Sequence, residues 1–122
     1  MANPNIAAAT SIYGRTVMGA LTTSNADLTS AVASDKIQRV NTIIISNVDG
    51  SAAATCTITV YNADNTTEYK LAHTISVPPD STLVVLSRDT SIYLEEGDKI
   101  RGLASANSDL QFVISYEELD DA

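Results

Sequence analysis

The sequence predicts an all-β domain, an antiparallel β-sandwich of the jelly-roll or immunoglobulin-like type with about eight short strands. The first observation is that apolar residues recur with a period of two, which is the repeat of a strand and not of a helix. The second is a series of turn signals at short intervals, each rich in Gly, Pro, Asn or Asp. These signals lie at residues 48–51, 62–65, 78–81, 95–98 and 106–109.

Two alternating segments predict the core. In residues 55–61, Cys56, Ile58 and Val60 alternate with three threonines. In residues 110–116, every second position is again apolar, and the side chains that point one way are Leu110, Phe112, Ile114 and Tyr116. We expect Thr55, Thr57 and Thr59 on the solvated face, because threonine is polar as well as β-branched. The residues predicted to face one another across the core are Cys56, Ile58, Val60, Leu110, Phe112 and Ile114.

Two further segments are apolar without alternation, at residues 42–46 and 82–86. Such runs are typical of strands covered on both faces or buried inside a sandwich. Together the patterns predict strands near residues 13–22, 37–48, 55–62, 67–77, 82–87, 92–94, 99–106 and 110–117. One weak helical pattern, at residues 25–32, predicts a single helical turn.

A chain of 122 residues fits one domain. We predict a β-sandwich over residues 13–118, preceded by an N-terminal arm (1–12) and followed by an acidic tail (119–122), because both ends offer little apolar surface to bury. No apolar stretch approaches the roughly 20 residues of a membrane-spanning helix. The N-terminus also lacks a secretory pattern, which favours synthesis in a cytoplasm.

Net charge and cysteine content narrow the classes of partner. The formal net charge is −8, and the seven Lys and Arg are scattered, so the surface is expected to repel a phosphate backbone rather than bind nucleic acid. The single cysteine, Cys56, cannot form an internal disulfide. In step with Ile58 and Val60, it is expected to be a small buried hydrophobe and not a nucleophile.

The remaining candidates for chemistry are His73 and the acidic loops. His73 has no His, Cys or carboxylate at ligand spacing, so we interpret it as an ordinary strand residue. Residues 49–51 and 95–98 supply only part of a calcium loop, and turn formation by Gly97 and Asp98 is the simpler interpretation. Because no nucleophile elbow or phosphate-binding glycine loop occurs, we predict no enzyme, no cofactor and no metal ligands.

Four blocks of sequence resemble a known family. They are residues 43–50 (IIISNVDG), 76–87 (SVPPDSTLVVLS), 91–101 (SIYLEEGDKIR) and 114–118 (ISYEE). In this order they resemble small virion structural proteins of tailed phages, particularly those infecting marine cyanobacteria. The resemblance spans residues 43–118, and the first forty residues match less distinctively.

The resemblance implies a β-sandwich subunit of the virion, assembled in the host cytoplasm and without activity of its own. The most specific role that the resemblance implies is that of a capsid decoration or cement protein, which binds the major capsid protein as a homotrimer. A neck or tail component is the structural alternative. A glycan-binding module is the alternative from another class, disfavoured because the chain has no Trp and its aromatic residues are dispersed.

Overall fold

The computed structural model describes residues 7 and 9–121, and in it the chain forms nine strands. They are β1 (Ala9–Ala20), β2 (Ala26–Asp27), β3 (Lys36–Asn47), β4 (Ala54–Asn62), β5 (Thr67–Val77), β6 (Thr82–Leu86), β7 (Ile92–Leu94), β8 (Lys99–Ala104) and β9 (Leu110–Asp121). A short 3-10 turn at Arg88–Thr90 separates β6 from β7. Within the described residues, no helix has the length and apolar character needed to cross a membrane.

The strands form two antiparallel sheets, as the period-two pattern predicts. Sheet A has five strands in the order β1-β9-β3-β6, with β7 also paired to β3, and sheet B has the order β2-β8-β4-β5. Strands β6 and β7 share one edge of β3, β6 alongside Ile43–Ser46 and β7 alongside Gln38–Val40. The predicted all-β sandwich is therefore confirmed.

The centre of sheet A is the pairing of β3 with β9. Ile43 lies opposite Ile114 and Ile45 opposite Phe112, and all four side chains are buried. The Phe112 ring also lies over β1, where a Cβ on Gly19 would come within 3.1 Å of it. Glycine at position 19 thus lets the ring close the core at the edge of the sheet.

Sheet B supplies the other side of the core. Cys56 and Ile58 on β4 are fully buried, and Val60 is partly buried against the same cluster. Their neighbours Ile100 and Ala104 on β8 are also buried, opposite Val60 and Cys56. The predicted core positions are thus confirmed, with Val60 at the margin.

The predicted helical turn at residues 25–32 is wrong. This segment contains β2 and then follows β8, with Leu28 N donating to Ile100 O at 2.8 Å and Val32 N donating to Asp98 O at 3.1 Å. Gly102 makes this crossing possible, because a Cβ there would lie 3.0 Å from Leu28 Cδ1 and 2.8 Å from Ile58 Cδ1. Backbone bonding to β8, together with burial of Val32, outweighs the weak helical preference.

Two expectations about exposure are also wrong. Residues 82–86 form an edge strand on which Val84 is 57% exposed, so the run is not covered on both faces. On β4, Thr57 and Thr59 are buried although they point away from the core. Their hydroxyls have partners: Thr57 Oγ1 accepts from Thr74 N at 3.1 Å, and Thr59 Oγ1 donates to Glu68 Oε1 at 2.6 Å.

All eight predicted strands are present, but the first and last are longer than predicted. Residues 9–12 belong to β1 and residues 119–121 to β9, where Ile12 lies opposite Leu119 and Leu119 opposite Ile37. Burial of Leu119 and Ile37 explains why pairing continues into these ends. Residues 1–6, 8 and 122 of the predicted arm and tail lie outside the described residues, and the division into arm, domain and tail stays a prediction.

We expect Phe112→Ala to lower the free energy of unfolding by about 3–5 kcal/mol, because it empties the space between the sheets. The adjacent Val113, 38% exposed on the opposite face of the same strand, is the matched control. Val113→Ala should cost about 0.5 kcal/mol or less. Urea denaturation measures both values, and a loss below roughly 1 kcal/mol for Phe112→Ala would contradict this packing.

Candidate interaction surfaces

Cys56 is a core residue. Its side chain is fully buried, and burial raises the pKa of its thiol above the ordinary value. A raised pKa disfavours the thiolate, which is the reactive form. The expectation of a buried, unreactive side chain is consistent with this position.

His73 lies on β5, at the surface of sheet B. Its side chain is exposed, in the stretch where β5 shifts register against β4. The next residue, Thr74, has φ +47°, which is unusual for a β-branched residue and marks a bulge. The histidine therefore lies on a bulged edge strand.

The acidic loops are held by their own hydrogen bonds. Asp49 Oδ1 accepts from Ser51 N at 2.9 Å and from Ser51 Oγ at 3.0 Å, which lowers the pKa of Asp49. Asp98 accepts from Ala63 N at 2.9 Å and from Glu95 N at 3.2 Å, beside Gly97 at φ +86°. These bonds are those expected of turns. Among the described residues no group of three His, Cys, Asp or Glu is placed to hold a metal ion, and no pocket opens in the described surface.

The outer face of sheet B carries a network of paired charges, which we call the sheet B network. Arg101 is at its centre: its Nε donates to Asp27 Oδ1 at 2.8 Å and its Nη1 donates to Glu68 Oε2 at 2.9 Å. Lys99 Nζ completes the network with a contact of 3.0 Å to Asp27 Oδ2. Two cations thus face two carboxylates, and the network ties β2 and β5 to β8 through side chains.

Hydrogen bonds in this network favour the ionised carboxylates. The hydrogen bond from Lys99 is the main reason that the pKa of Asp27 lies below its ordinary value, with Arg101 adding to the effect. For Glu68, the hydroxyl of Thr59 and then the amide of Asn25 are the main causes of a lowered pKa. The buried position of Thr59 is thereby explained, because its hydroxyl serves this carboxylate.

The outer face of sheet A is different, because apolar side chains cross it in one row. Met18, Val113, Ile44 and Val84 lie side by side on β1, β9, β3 and β6, each opposite the next in register. Met18 is 66%, Val113 38% and Val84 57% exposed, and Ile44 is half-buried. We call this set the apolar row.

The rows on either side of the apolar row are uncharged. Thr16, Ser115 and Thr42 form one flank. Ala20, Gln111, Ser46 and Thr82 form the other, with Ser46 Oγ and Thr82 Oγ1 3.2 Å apart. An uncharged band therefore crosses an acidic protein from one edge of sheet A to the other, and such exposed apolar patches mark contact sites.

The exposed aromatic residues do not form a platform. Of the described tyrosines, Tyr13, Tyr69 and Tyr93 are about half exposed, on β1, β5 and β7. Tyr13 and Tyr93 lie on opposite faces of sheet A, and Tyr69 belongs to sheet B. A flat surface for stacking a sugar ring is not assembled from them.

Sequence reasoning missed the apolar row, although the signal for it was present. Segments 42–46, 82–86 and 112–114 are apolar at positions of both parities. In β3 and β9 one parity fills the core and the other supplies Ile44 and Val113 to the row. In β6 a register shift lets both Leu83 and Leu86 face the core, while Val84 joins the row. Only the register between strands shows that these three residues are aligned with one another and with Met18.

Comparisons with known proteins bear on the fold alone. No protein-family model matches the sequence, and no curated protein matches it. A solved structure of Bacillus endospore appendages, described as a novel family of disulfide-linked pili, matches with a TM-score of 0.55 at 15% identity over 92% of this chain and 88% of the other. The acid-stable capsid of Helicobacter pylori bacteriophage KHP30 matches with a TM-score of 0.53 at 10% identity over 93% and 91%. The chain thus shares the fold of a phage capsid protein and a pilus protein along nearly its whole length.

The sheet B network predicts a specific loss of stability in acid. Because the pKa values of Asp27 and Glu68 are lowered in the folded state, the stabilisation is complete above their unfolded values, near 3.8 and 4.5. It disappears as the pH falls through the folded values. The melting temperature of the parent should therefore fall between about pH 5 and pH 3.

In the double variant Asp27→Asn/Glu68→Gln, melting should be lower at pH 7 and less dependent on pH in that window. Asp89→Asn, an exposed change on the 3-10 turn, is the control and should follow the parent. Thermal melts at successive pH values provide the measurement. If the double variant keeps the full pH dependence of the parent, the network does not cause it.

Proposed function

We propose that this protein is a non-enzymatic structural protein of a phage virion, and specifically a capsid decoration or cement protein. In this role it binds the major capsid protein and stabilises the head by bridging neighbouring capsid subunits. It acts as a homotrimer, because a trimer suits the local three-fold positions of a capsid lattice.

The apolar row is the observation that carries this proposal. It lies on the outer face of a sheet, crosses four strands, and is flanked by uncharged side chains. An uncharged surface in which no pocket opens suits contact with another protein surface better than the enclosure of a small ligand. We place the major capsid protein against this face.

The charged surface elsewhere is consistent with the same role. The sheet B network pairs its cations with carboxylates of the same chain, so it leaves few free cations for an anionic partner. The net charge of −8 opposes nucleic acid and keeps free copies soluble before assembly. The fold shared with a phage capsid protein supports a place on the particle, as does the resemblance of segments 43–118 to virion proteins.

Substitutions in the middle of the apolar row test this role. Val113→Lys places a charge at the centre of the row, and Ile75→Lys places one on sheet B at a residue of similar exposure, 41% against 38%. We expect Val113→Lys to reduce binding to capsids lacking the protein by at least about tenfold, the effect of a buried charge at an interface, and Ile75→Lys to bind like the parent. Sedimentation of the capsids with labelled protein measures binding, and melting curves verify that both variants fold.

The number of bound copies decides between capsid and neck. Decoration requires several hundred copies distributed over the shell, whereas about six or twelve copies at one vertex would establish a neck or tail component and overturn the proposal. Equal binding by Val113→Lys and the parent would exclude the apolar row as the capsid contact.

The predicted N-terminal arm contributes to attachment in this proposal. Ile6 and the small residues around it can lie along a neighbouring subunit as an added strand does. Deletion of residues 2–8, which leaves β1 complete, should weaken capsid binding without changing the melting temperature. Unchanged binding would show that the segment has no role in attachment, and a marked fall in melting temperature would assign it to the fold.

A further inference from the structure

The edges of the two sheets are protected unequally. In sheet B, β2 is only two residues long, and β5 is interrupted by two register shifts and carries Lys70. Short strands, bulges and lysines are the usual means by which proteins prevent edge-to-edge pairing. In sheet A, β1 pairs in continuous register from Ser11 to Ala20, and among the described strands it pairs with β9 alone. Between Ser11 and Ala20, the edge of β1 has none of these protections.

The composition of β1 also favours pairing. Ile12 and Met18 are 60% and 66% exposed on one face of the sheet, and Tyr13 is 49% exposed on the other. The strand contains no proline and no carboxylate, and its one charged residue, Arg15, contacts Glu118 of β9 at 3.5 Å. Another strand can therefore approach β1 without burying an unpaired charge.

The opposite edge of sheet A, β6, is shorter and has one register shift against β3, but it is chemically similar. Strand β6 has the sequence Thr-Leu-Val-Val-Leu and carries no charge, and Val84 is exposed on the same face of the sheet as Met18. The apolar row thus ends at both edges, at Met18 on one side and at Val84 on the other. A row that ends in an apolar residue at each edge of the sheet can continue across a neighbouring copy.

Strand direction allows this continuation. Each neighbouring pair in the order β1-β9-β3-β6 is antiparallel, so β1 and β6 run in opposite directions. A second copy displaced sideways, with its sheet in the same orientation, presents its β6 antiparallel to β1. The register of sheet A then brings Met18 next to Val84 of the partner subunit. It also brings Gly14, whose Cβ position is open, next to Tyr93 of the partner subunit.

Charge favours a second copy of this chain as the occupant. With a net charge of −8, two copies repel one another over most of their surfaces. Strands β1 and β6 contain no carboxylate, so their edges are places where two copies meet without opposing negative charges. The apolar side chains at both edges gain from the same contact.

We propose that copies of this protein associate head to tail, with β1 of one copy pairing antiparallel to β6 of the next so that sheet A is continuous between subunits. Such an interface is heterologous, and it closes into a ring or extends as a filament according to the rotation between copies. The ring of three is the form required by the proposed trimeric decoration protein. In this respect the inference rests on the proposed function, and it identifies the surfaces that join the subunits.

Cysteine crosslinking of purified protein tests the pairing directly. Met18→Cys and Val84→Cys are prepared as separate variants, oxidised alone and as an equal mixture, and examined on non-reducing gels. Opposed residues on paired strands lie close enough for a disulfide, so the mixture should give a crosslinked dimer that is scarce in either variant alone. A double variant that carries both Met18→Cys and Val84→Cys should give a ladder of products larger than the dimer. If three copies form a ring, a closed trimer should predominate.

Two controls separate this result from random contact. The parent retains Cys56, which is fully buried and should form no crosslink. Val113→Cys lies in the same apolar row but on an interior strand, so its mixture with Val84→Cys should give about tenfold less product than the mixture with Met18→Cys.

Three results would overturn the inference. The first is a mixture that crosslinks no better than the controls. The second is a Met18→Cys variant that crosslinks as strongly alone as in the mixture, which indicates two-fold pairing of β1 with itself. The third is a parent protein that is strictly monomeric at every concentration in sedimentation equilibrium. Because no capsid is present in these experiments, their failure leaves the capsid-binding proposal intact. Failure of capsid binding by the parent, conversely, leaves the pairing result standing.

Discussion

The pairing of β3 with β9 fixes the position of the remaining strands of sheet A. It aligns Ile43 with Ile114 and Ile45 with Phe112, and these four buried side chains form the wall against which sheet B packs. Strand β1 is attached to the free side of β9, and β6 and β7 to the free side of β3. A shift of this pairing by one residue would turn the apolar side chains of β9 away from the core. The same shift would break the alignment of the side chains in the apolar row.

The two outer faces of the sandwich use opposite chemistry. On sheet B, Arg101 connects Asp27 to Glu68, so β2 and β5 are held to β8 by charged groups that satisfy one another. On sheet A, an uncharged band crosses the outer face, and the apolar row within it is exposed to solvent. The charged groups on the outer face of sheet B therefore bind one another, whereas apolar side chains on the outer face of sheet A remain exposed. Only the sheet A face gains free energy when another protein covers it.

The edges extend this contrast. The bulge of β5 places Thr74, a β-branched residue, at positive φ, which has a conformational cost. The hydroxyl of Thr57 offsets this cost by accepting a hydrogen bond from the amide of Thr74. The edge at β5 is thus protected at a conformational cost, whereas the edge of β1 is unprotected between Ser11 and Ala20. In a protein that functions by assembly, an open edge is useful where a neighbouring subunit covers it.

The sequence by itself determined the fold class, the location of eight strands and most of the core, because the period of two and the turn residues are local properties of the chain. It also indicated that Cys56 is buried, since the residue alternates in step with Ile58. The tertiary structure alone decided the roles of the residues that do not face the core. Thr59 is buried because Glu68, nine positions away, lies above it, and residues 25–32 are not helical because β8 offers hydrogen bonds to their backbone. The alignment of Met18 with Val113, Ile44 and Val84 joins strands that are far apart in sequence. The register between such strands is set by packing of the whole sandwich, so no local pattern in the sequence contains it.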